Sequence, residues 1–308
     1  MQSLVQPLFD GPIDIVGDVH GEIEALQSLL QQLGYDKIGS HSDNRRLVFL
    51  GDLTDRGPDS PAVVTLVQSL VEAGCAQCVL GNHDLNILLG LEKHDNPWFY
   101  RKTFHARDGS LVPQVLADDA TRKMVLGFFR LLPLALEQKD VRVVHANWHQ
   151  DMIELARAAT CTVSLYEEHK QIIDDDHLSR PDLDETGRKL DHQNRNPVKL
   201  LTSGPEERID PPIEVSGKVR HHGRVAWWEG YSAPEFCVFG HYSIPSNVRR
   251  EGRAICVDFG IGKRSMERLN HHWIVNNGWV AKSRLAALRL PERRFVFDDG
   301  FSDLLSNQ

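Results

Sequence analysis

The stretch Ile13-Asp14-Ile15-Val16-Gly17-Asp18-Val19-His20-Gly21 decides how this chain folds. A short β-branched run ends in glycine, and polar residues follow at once. This is how a strand reads when both of its faces are covered and a turn at its carboxyl end carries function. Residues 22–33 then place Ile23, Leu26, Leu29, Leu30 and Leu33 on one helical face, and Gly34 follows as a stop. The unit repeats. Run 47–51 leads into Gly51-Asp52-Leu53-Thr54-Asp55-Arg56-Gly57, and Ser60-Pro61 offers an N-cap with proline at the first helical position. A second apolar helix face, from Val63 to Val71, runs to Gly74. Run 78–81 then ends in Gly81-Asn82-His83-Asp84. Strand, helix, strand, helix, strand predicts an α/β fold with parallel pairing in this half.

Further along, three more short apolar runs lie at 141–144, 236–240 and 254–257, with fewer clean helices between them. The second half is therefore expected to be mixed, or to form a second sheet. The run at 141–144 delivers His145, and the run at 236–240 ends in Gly240-His241-Tyr242. Five strand ends thus present metal-competent side chains, and carboxyl ends of strands are where open α/β sheets form ligand crevices. One Asp-x-His-Gly is an ordinary turn sequence. The conjunction of all five is not.

Asp18, His20, Asp52, Asn82, His145 and His241 are six side chains, too many for one tetrahedral ion. Their mixed nitrogen and oxygen donors suit manganese, iron, zinc or cobalt better than calcium or magnesium. With Asp52 as a bridge, two ions roughly 3.5–4 Å apart would activate a water and clamp phosphoryl oxygens. Arg56, four residues after Asp52, suits a bidentate phosphate contact. His83 follows a proposed ligand directly. It is read either as a proton donor to a leaving oxygen, oriented by Asp55, or as a structural hydrogen-bonding residue.

The remaining sequence excludes several classes. The chain has 308 residues, 41% hydrophobic, with a formal net charge of −8. No basic surface advertises stable nucleic-acid binding, although Arg220-His221-His222-Gly223-Arg224 is a small basic patch. No segment approaches the about 20 apolar residues of a membrane span, so no membrane partner and a cytoplasmic location are expected. The five cysteines are irregularly spaced, and Cys75 and Cys78 lack a second pair to complete a zinc site. Residues 174–197, with Asp174-Asp175-Asp176, read as a solvated loop or insertion rather than a metal site. Trp98, Phe99, Tyr100, Phe104, Trp148, Trp227 and Trp228 are read as core or cap packing, with stacking on a nucleotide base as the alternative.

The motifs Asp18–Gly21, Gly51–Gly57, Gly81–Asp84, His145 and Gly240–His241 together resemble the calcineurin-like metallophosphoesterases. Within that family they resemble the phosphoprotein-phosphatase branch, which includes bacterial symmetrical dinucleoside tetraphosphatases. The similarity spans about residues 13 to 260. Asp84, and His145-Ala146-Asn147-Trp148, look more like the bacterial members. The resemblance implies a four-layer αββα sandwich, with a dinuclear metal site at the carboxyl ends of the strands. It implies that Asp18 and His20 hold one ion, Asn82, His145 and His241 hold the other, and Asp52 bridges. Manganese is the first choice, with iron, zinc, cobalt or nickel as alternatives. His83 would be the general acid supported by Asp55, while Arg56, with Asn82, would bind substrate. A second phosphate-binding arginine is expected after Leu200–Glu206, with Arg208, Arg220 and Arg224 as candidates.

The expected architecture is one domain over 1–295, a cap or insertion within 150–235, and a tail from 296. The expected activity is hydrolysis of phosphomonoesters, on a phosphoprotein or small phosphorylated molecule, by metal-activated water. The alternative is cleavage of an anhydride in dinucleoside polyphosphates or RNA caps. A non-catalytic scaffold would need neither the complete ligand set nor His83 and Arg56.

Overall fold

The computed structural model describes residues 2–106, 109–215, 218–244, 252–269, 274–275, 278–279 and 282–305. Ile13–Val16, Arg46–Phe49 and Ala76–Cys78 pair in parallel, with Ile23–Leu33 and Ser60–Glu72 as the crossover helices. Antiparallel Ala286–Leu290, Arg294–Phe297 and Ser302–Leu304 extend this sheet to six strands. A second, five-stranded sheet runs in the order Val5–Pro7, Ala135–Glu137, Val141–Val144, Phe236–Phe239, Ala254–Cys256. Its pairing is mixed, with Ala135–Glu137 antiparallel to Val141–Val144 and the other three pairs parallel.

Side-chain alternation sorts the strands into layers. Ile13, Ile15, Val48 and Leu50 from one sheet bury against Val143, Val238, Ile255 and Val257 from the other. The intervening residues Val16, Leu47, Phe49, Val144, Phe239 and Cys256 belong to a second core, shared with helical Leu26, Leu29, Val63 and Val67. Sheets thus meet face to face while helices cover their outer faces, as expected for an αββα sandwich. Gly34 ends the first helix in the left-handed region, at φ 90°.

Three expectations need correction. Asp59, not Ser60, caps the second helix, accepting from Ala62 N, while Ser60 Oγ accepts from Asp55 N at 2.9 Å. Residues 174–197 are largely helical rather than a loop, in Thr162–Leu178, Glu185–Arg195 and the start of Pro197–Ser203. Contacts four residues apart, Lys170 to Asp174 at 2.7 Å and Gln171 to Asp175 at 2.9 Å, supply support that a strongly polar composition concealed. Asp184 and Asn196 cap the next two helices. The segment from 296, expected as a tail, completes one sheet strand and adds another at Ser302–Leu304, paired through Arg294, Phe295 and Val296. Residues 306–308 lie outside the described residues.

Candidate metal centre and active site

Three of the five strand ends turn sharply at a predicted site residue. His20, Asp52, Asp55, Arg56 and His241 have φ of 48°, 48°, 74°, 66° and 65°, a region that non-glycine residues seldom adopt. Such conformations persist where the surroundings over-determine them. Two glycines show how tightly: a Cβ on Gly81 would strike Asp52 N and Oδ1, and one on Gly240 would strike Asp18 Oδ1. Both sites therefore lack room for any side chain.

The six predicted ligands converge at the seam between the two sheets. Asp18, His20 and Asp52 follow strands of the six-stranded sheet, and His145 and His241 follow strands of the other. Asn82 starts the Asn82–Leu88 helix. Ligand atoms of Asp52, His145 and His241 lie within 4.8 Å of one another, and so do those of His20, Asp52 and His83. Asp52 belongs to both groups.

Hydrogen bonds fix the histidine tautomers. His20 Nδ1 donates to Thr54 O at 3.0 Å, which leaves the Nε2 lone pair facing Asp52 Oδ2 at 3.7 Å and Asp18 Oδ2 at 3.9 Å. His145 Nδ1 donates to Leu50 O at 2.5 Å, so its Nε2 faces Asp52 Oδ1 at 3.4 Å and Asn82 Oδ1 at 3.3 Å. The Asn82 amide stands 2.7 Å from His241 Nδ1, and His241 Nε2 is buried without a hydrogen-bond partner among the described residues. Ring nitrogens of His20, His145 and His241 converge with the Asp52 carboxylate, a donor set that fits a cation, and backbone carbonyls orient His20 and His145.

The electrostatics separate the three histidines. Burial, then Arg56, holds His20 well below its usual range, and burial, then Arg224, does the same for His241. Burial opposes a charged His145, yet Asp52 and Asp18 lift it to about 10. The negative field answered there by a proton is the field a divalent cation would answer. Asp18 departs from the pattern expected for it. Its carboxylate turns to His241 N, 3.1 Å from both oxygens, and burial followed by Asp258 raises it well above the carboxylate range.

His83 has both nitrogens engaged, Nδ1 with Asp55 Oδ2 at 2.7 Å and Nε2 with Arg56 Nη2 at 2.9 Å. Arg56 also reaches His20 Nε2 at 3.2 Å and is braced by Asp95 at 2.9 Å. The Arg56 side chain is 34% exposed against 10% for His83, so the guanidinium is the group an incoming anion meets first.

Sequence reasoning missed the residues beneath this layer. Trp98 Nε1 donates to Asp55 Oδ1 at 2.7 Å, a role distinct from the packing or stacking expected for it. Fully buried Asp84 accepts from Leu53 N at 3.1 Å, Thr54 Oγ1 at 3.0 Å and Gly81 N at 3.3 Å, tying together the turns that carry Asp52 and Asn82. Burial and then Asp52 push its carboxyl up to about 7. Its position in Gly81-Asn82-His83-Asp84 was the available signal; Asp95 offered none. Among the three candidate arginines, Arg224 lies beside the centre, donating to His241 O at 3.2 Å, whereas Arg208 pairs with Asp184 on the surface. Trp98, Phe99, Phe104 and Trp148 are buried core. Trp227 and Trp228 pack against Phe239, and Trp228 also meets Tyr242. Cys75 and Cys78 are free thiols. Asp174, with His177 and His192, forms a third group of potential ligands, but Asp174 pairs with Lys170 and His177 with Asp191, which makes it a helix-packing network. No helix among the described residues is long and apolar enough to cross a membrane.

The profile of one family, calcineurin-like phosphoesterase, matches residues 11–245. A bis(5'-nucleosyl)-tetraphosphatase PrpE (asymmetrical) of Oceanobacillus iheyensis is 29% identical over 295 residues, covering 92% of this chain and 90% of that protein. The namesake of Halalkalibacterium halodurans is 52% identical over 73 residues, covering 23% of this chain and 30% of its own length. In three dimensions the chain is similar to a cold-active protein-tyrosine phosphatase of a psychrophilic Shewanella, with a TM-score of 0.52 at 17% identity, covering 98% of this chain and 83% of that one. At that identity the likeness is one of fold.

Proposed function

This chain belongs to the calcineurin-like phosphoesterase family, whose members are metal-dependent hydrolases of phosphate esters or anhydrides, and we propose that it works with two divalent cations bridged by Asp52. Asp18 and His20 would hold one ion, and Asn82, His145 and His241 the other, with manganese as the metal. The observation that carries this reading is the membership of Asp52 in two separate ligand groups. When bound, such a pair supplies Lewis acidity to the phosphoryl oxygens and lowers the pKa of a water.

The chain's own residues supply the rest. Arg56, held by Asp95, grips the phosphate with two guanidinium nitrogens, and Arg224 approaches from the end of the Lys218–Arg224 strand, which pairs with Glu206–Val215. His83 would donate a proton from Nε2 to the leaving oxygen once Arg56, whose Nη2 donates to that nitrogen in this arrangement, turns onto the phosphate. Asp55 holds Nδ1–H, and Trp98 holds Asp55. Burial works against a charged His83, and Asp52 and Asp55 raise its pKa in spite of it, the direction an acid requires.

For the substrate, the relative that spans nearly the whole chain supports cleavage of a nucleotide phosphoanhydride. Phosphomonoesters remain the second reading, since in-line attack at phosphorus serves both. The test is a panel of p-nitrophenyl phosphate, phosphopeptides, nucleotides and dinucleoside tetraphosphates with manganese-loaded protein, beside elemental analysis. Asp52→Asn is expected to abolish turnover and metal retention while the circular dichroism spectrum stays unchanged. Inactivity of the unsubstituted, metal-loaded protein on every member of the panel would refute the proposal.

A further inference from the structure

A cavity of about 350 Å³ opens directly beside the metal centre, with Asn82 and His241 in its wall. Lys93, Lys199 and Arg224, from three separate segments of the chain, also line it. The chain as a whole has a formal net charge of −8, so three cations converging on one cavity run against its overall field.

The pairing of these cations sets the cavity apart. Several other cations of the chain have carboxylate partners, as in Lys102 with Glu92, Lys170 with Asp174, Lys189 with Glu185 and Arg208 with Asp184. Lys93 and Lys199 form no ion pair among the described residues. Glu206 is the one carboxylate in the wall, and its partner is His222 at 2.6 Å. Lys199 lies half-buried in the Pro197–Ser203 helix, and burial lowers its pKa. The Glu206 carboxylate offsets only part of that burial, and its closest partner is His222, so an arriving anion would stabilise the ammonium further. A monoester at the metals, held by Arg56, leaves both lysines idle.

We propose that this cavity is a subsite for the non-scissile phosphates of a nucleoside polyphosphate, with Lys93, Lys199 and Arg224 as its ligands. The inference rests on the phosphoesterase reading and extends it. The scissile phosphorus sits at the metals, and the next phosphates of the anhydride chain run past Asn82 and His241 toward the lysines. A second cavity of about 490 Å³ shares Tyr166, Gln193, Lys199 and Glu206 with the first, so the path continues outward, with room for the nucleoside beyond the phosphates.

The test compares diadenosine tetraphosphate with p-nitrophenyl phosphate at saturating manganese, in Lys93→Ala, Lys199→Met and the double variant. Methionine preserves the buried stem of Lys199, and Lys199→Arg serves as the charge rescue. The expected result is a fall of tenfold or more in kcat/KM for the tetraphosphate relative to the monoester, carried by KM and restored by arginine. The tetraphosphate KM of the unsubstituted protein should also rise steeply with salt, and that slope should flatten in the double variant. Equal losses on both substrates, or unchanged tetraphosphate kinetics, would overturn the assignment. A protein active on p-nitrophenyl phosphate but not on the tetraphosphate would overturn the subsite and leave the phosphoesterase reading standing. Inactivity on both would remove both.

Discussion

His83 is the residue at which ligand and acid readings separate. Its ring belongs to a potential ligand group with His20 and Asp52, yet Asp55 and Arg56 already occupy its two nitrogens. If the proposed role is right, His83→Ala retains both metals by elemental analysis. Turnover then drops about 10²–10⁴-fold, and most for esters with poor leaving groups. Loss of a metal would reassign it as a ligand. Local sequence placed His83, Asp55 and Arg56 correctly near one another, because all three follow strand ends within thirty positions. It could not place Trp98 under Asp55, since a tryptophan in a turn carries no local mark of the carboxylate it will meet.

At the scale of elements, the strand-end turns do the positioning, and their tolerance is small. Gly81→Ala would push a methyl group into the backbone and side chain of Asp52, an overpacking cost of about 1–3 kcal/mol. The expected outcome is a lower melting temperature together with weakened metal retention, measured by calorimetry and by dialysis against a chelator. Full metal content in a folded Gly81→Ala protein would show that the turn is looser than its geometry implies. The first two crossover helices were legible because their apolar stripes and stops are local features. The Glu185–Arg195 helix was not, because its surface is almost wholly polar and its support comes from Asp184 and from Asp176, which receives Arg195 at 2.5 Å.

For the whole molecule, two buried devices tie distant segments together. Asp14, fully buried in the first sheet strand, accepts from Arg289 at 2.8 and 2.9 Å and from Tyr35 Oη at 3.0 Å, and faces Arg45 at 3.4 Å. Asp14→Asn removes the charge partner of Arg289 and leaves Arg45 with Glu292 alone. We expect a loss of about 3–5 kcal/mol in urea unfolding, with the metal ligands undisturbed and activity of the folded fraction retained. The proposed metal pair would be the second device, because its ligands come from both sheets. Chelation should therefore lower the melting temperature by several degrees, in proportion to ligand affinity, and restored manganese should reverse the shift. An unchanged transition after complete metal removal would argue against ligands spanning the seam. By itself the sequence determined the parallel α/β half and the chemical identity of each strand-end residue, because strand periodicity, helix stops and turn glycines are written within a few residues. Only the tertiary structure decided that Arg224 reaches His241, that Asp84 and Trp98 brace the turns, and that Ser302–Leu304 closes a sheet edge. The separations are 17 residues for Arg224 and His241, 31 for Asp84 and Leu53 and 43 for Trp98 and Asp55, all beyond the reach of strand or helix periodicity, so their partners are set by geometry that no local pattern encodes.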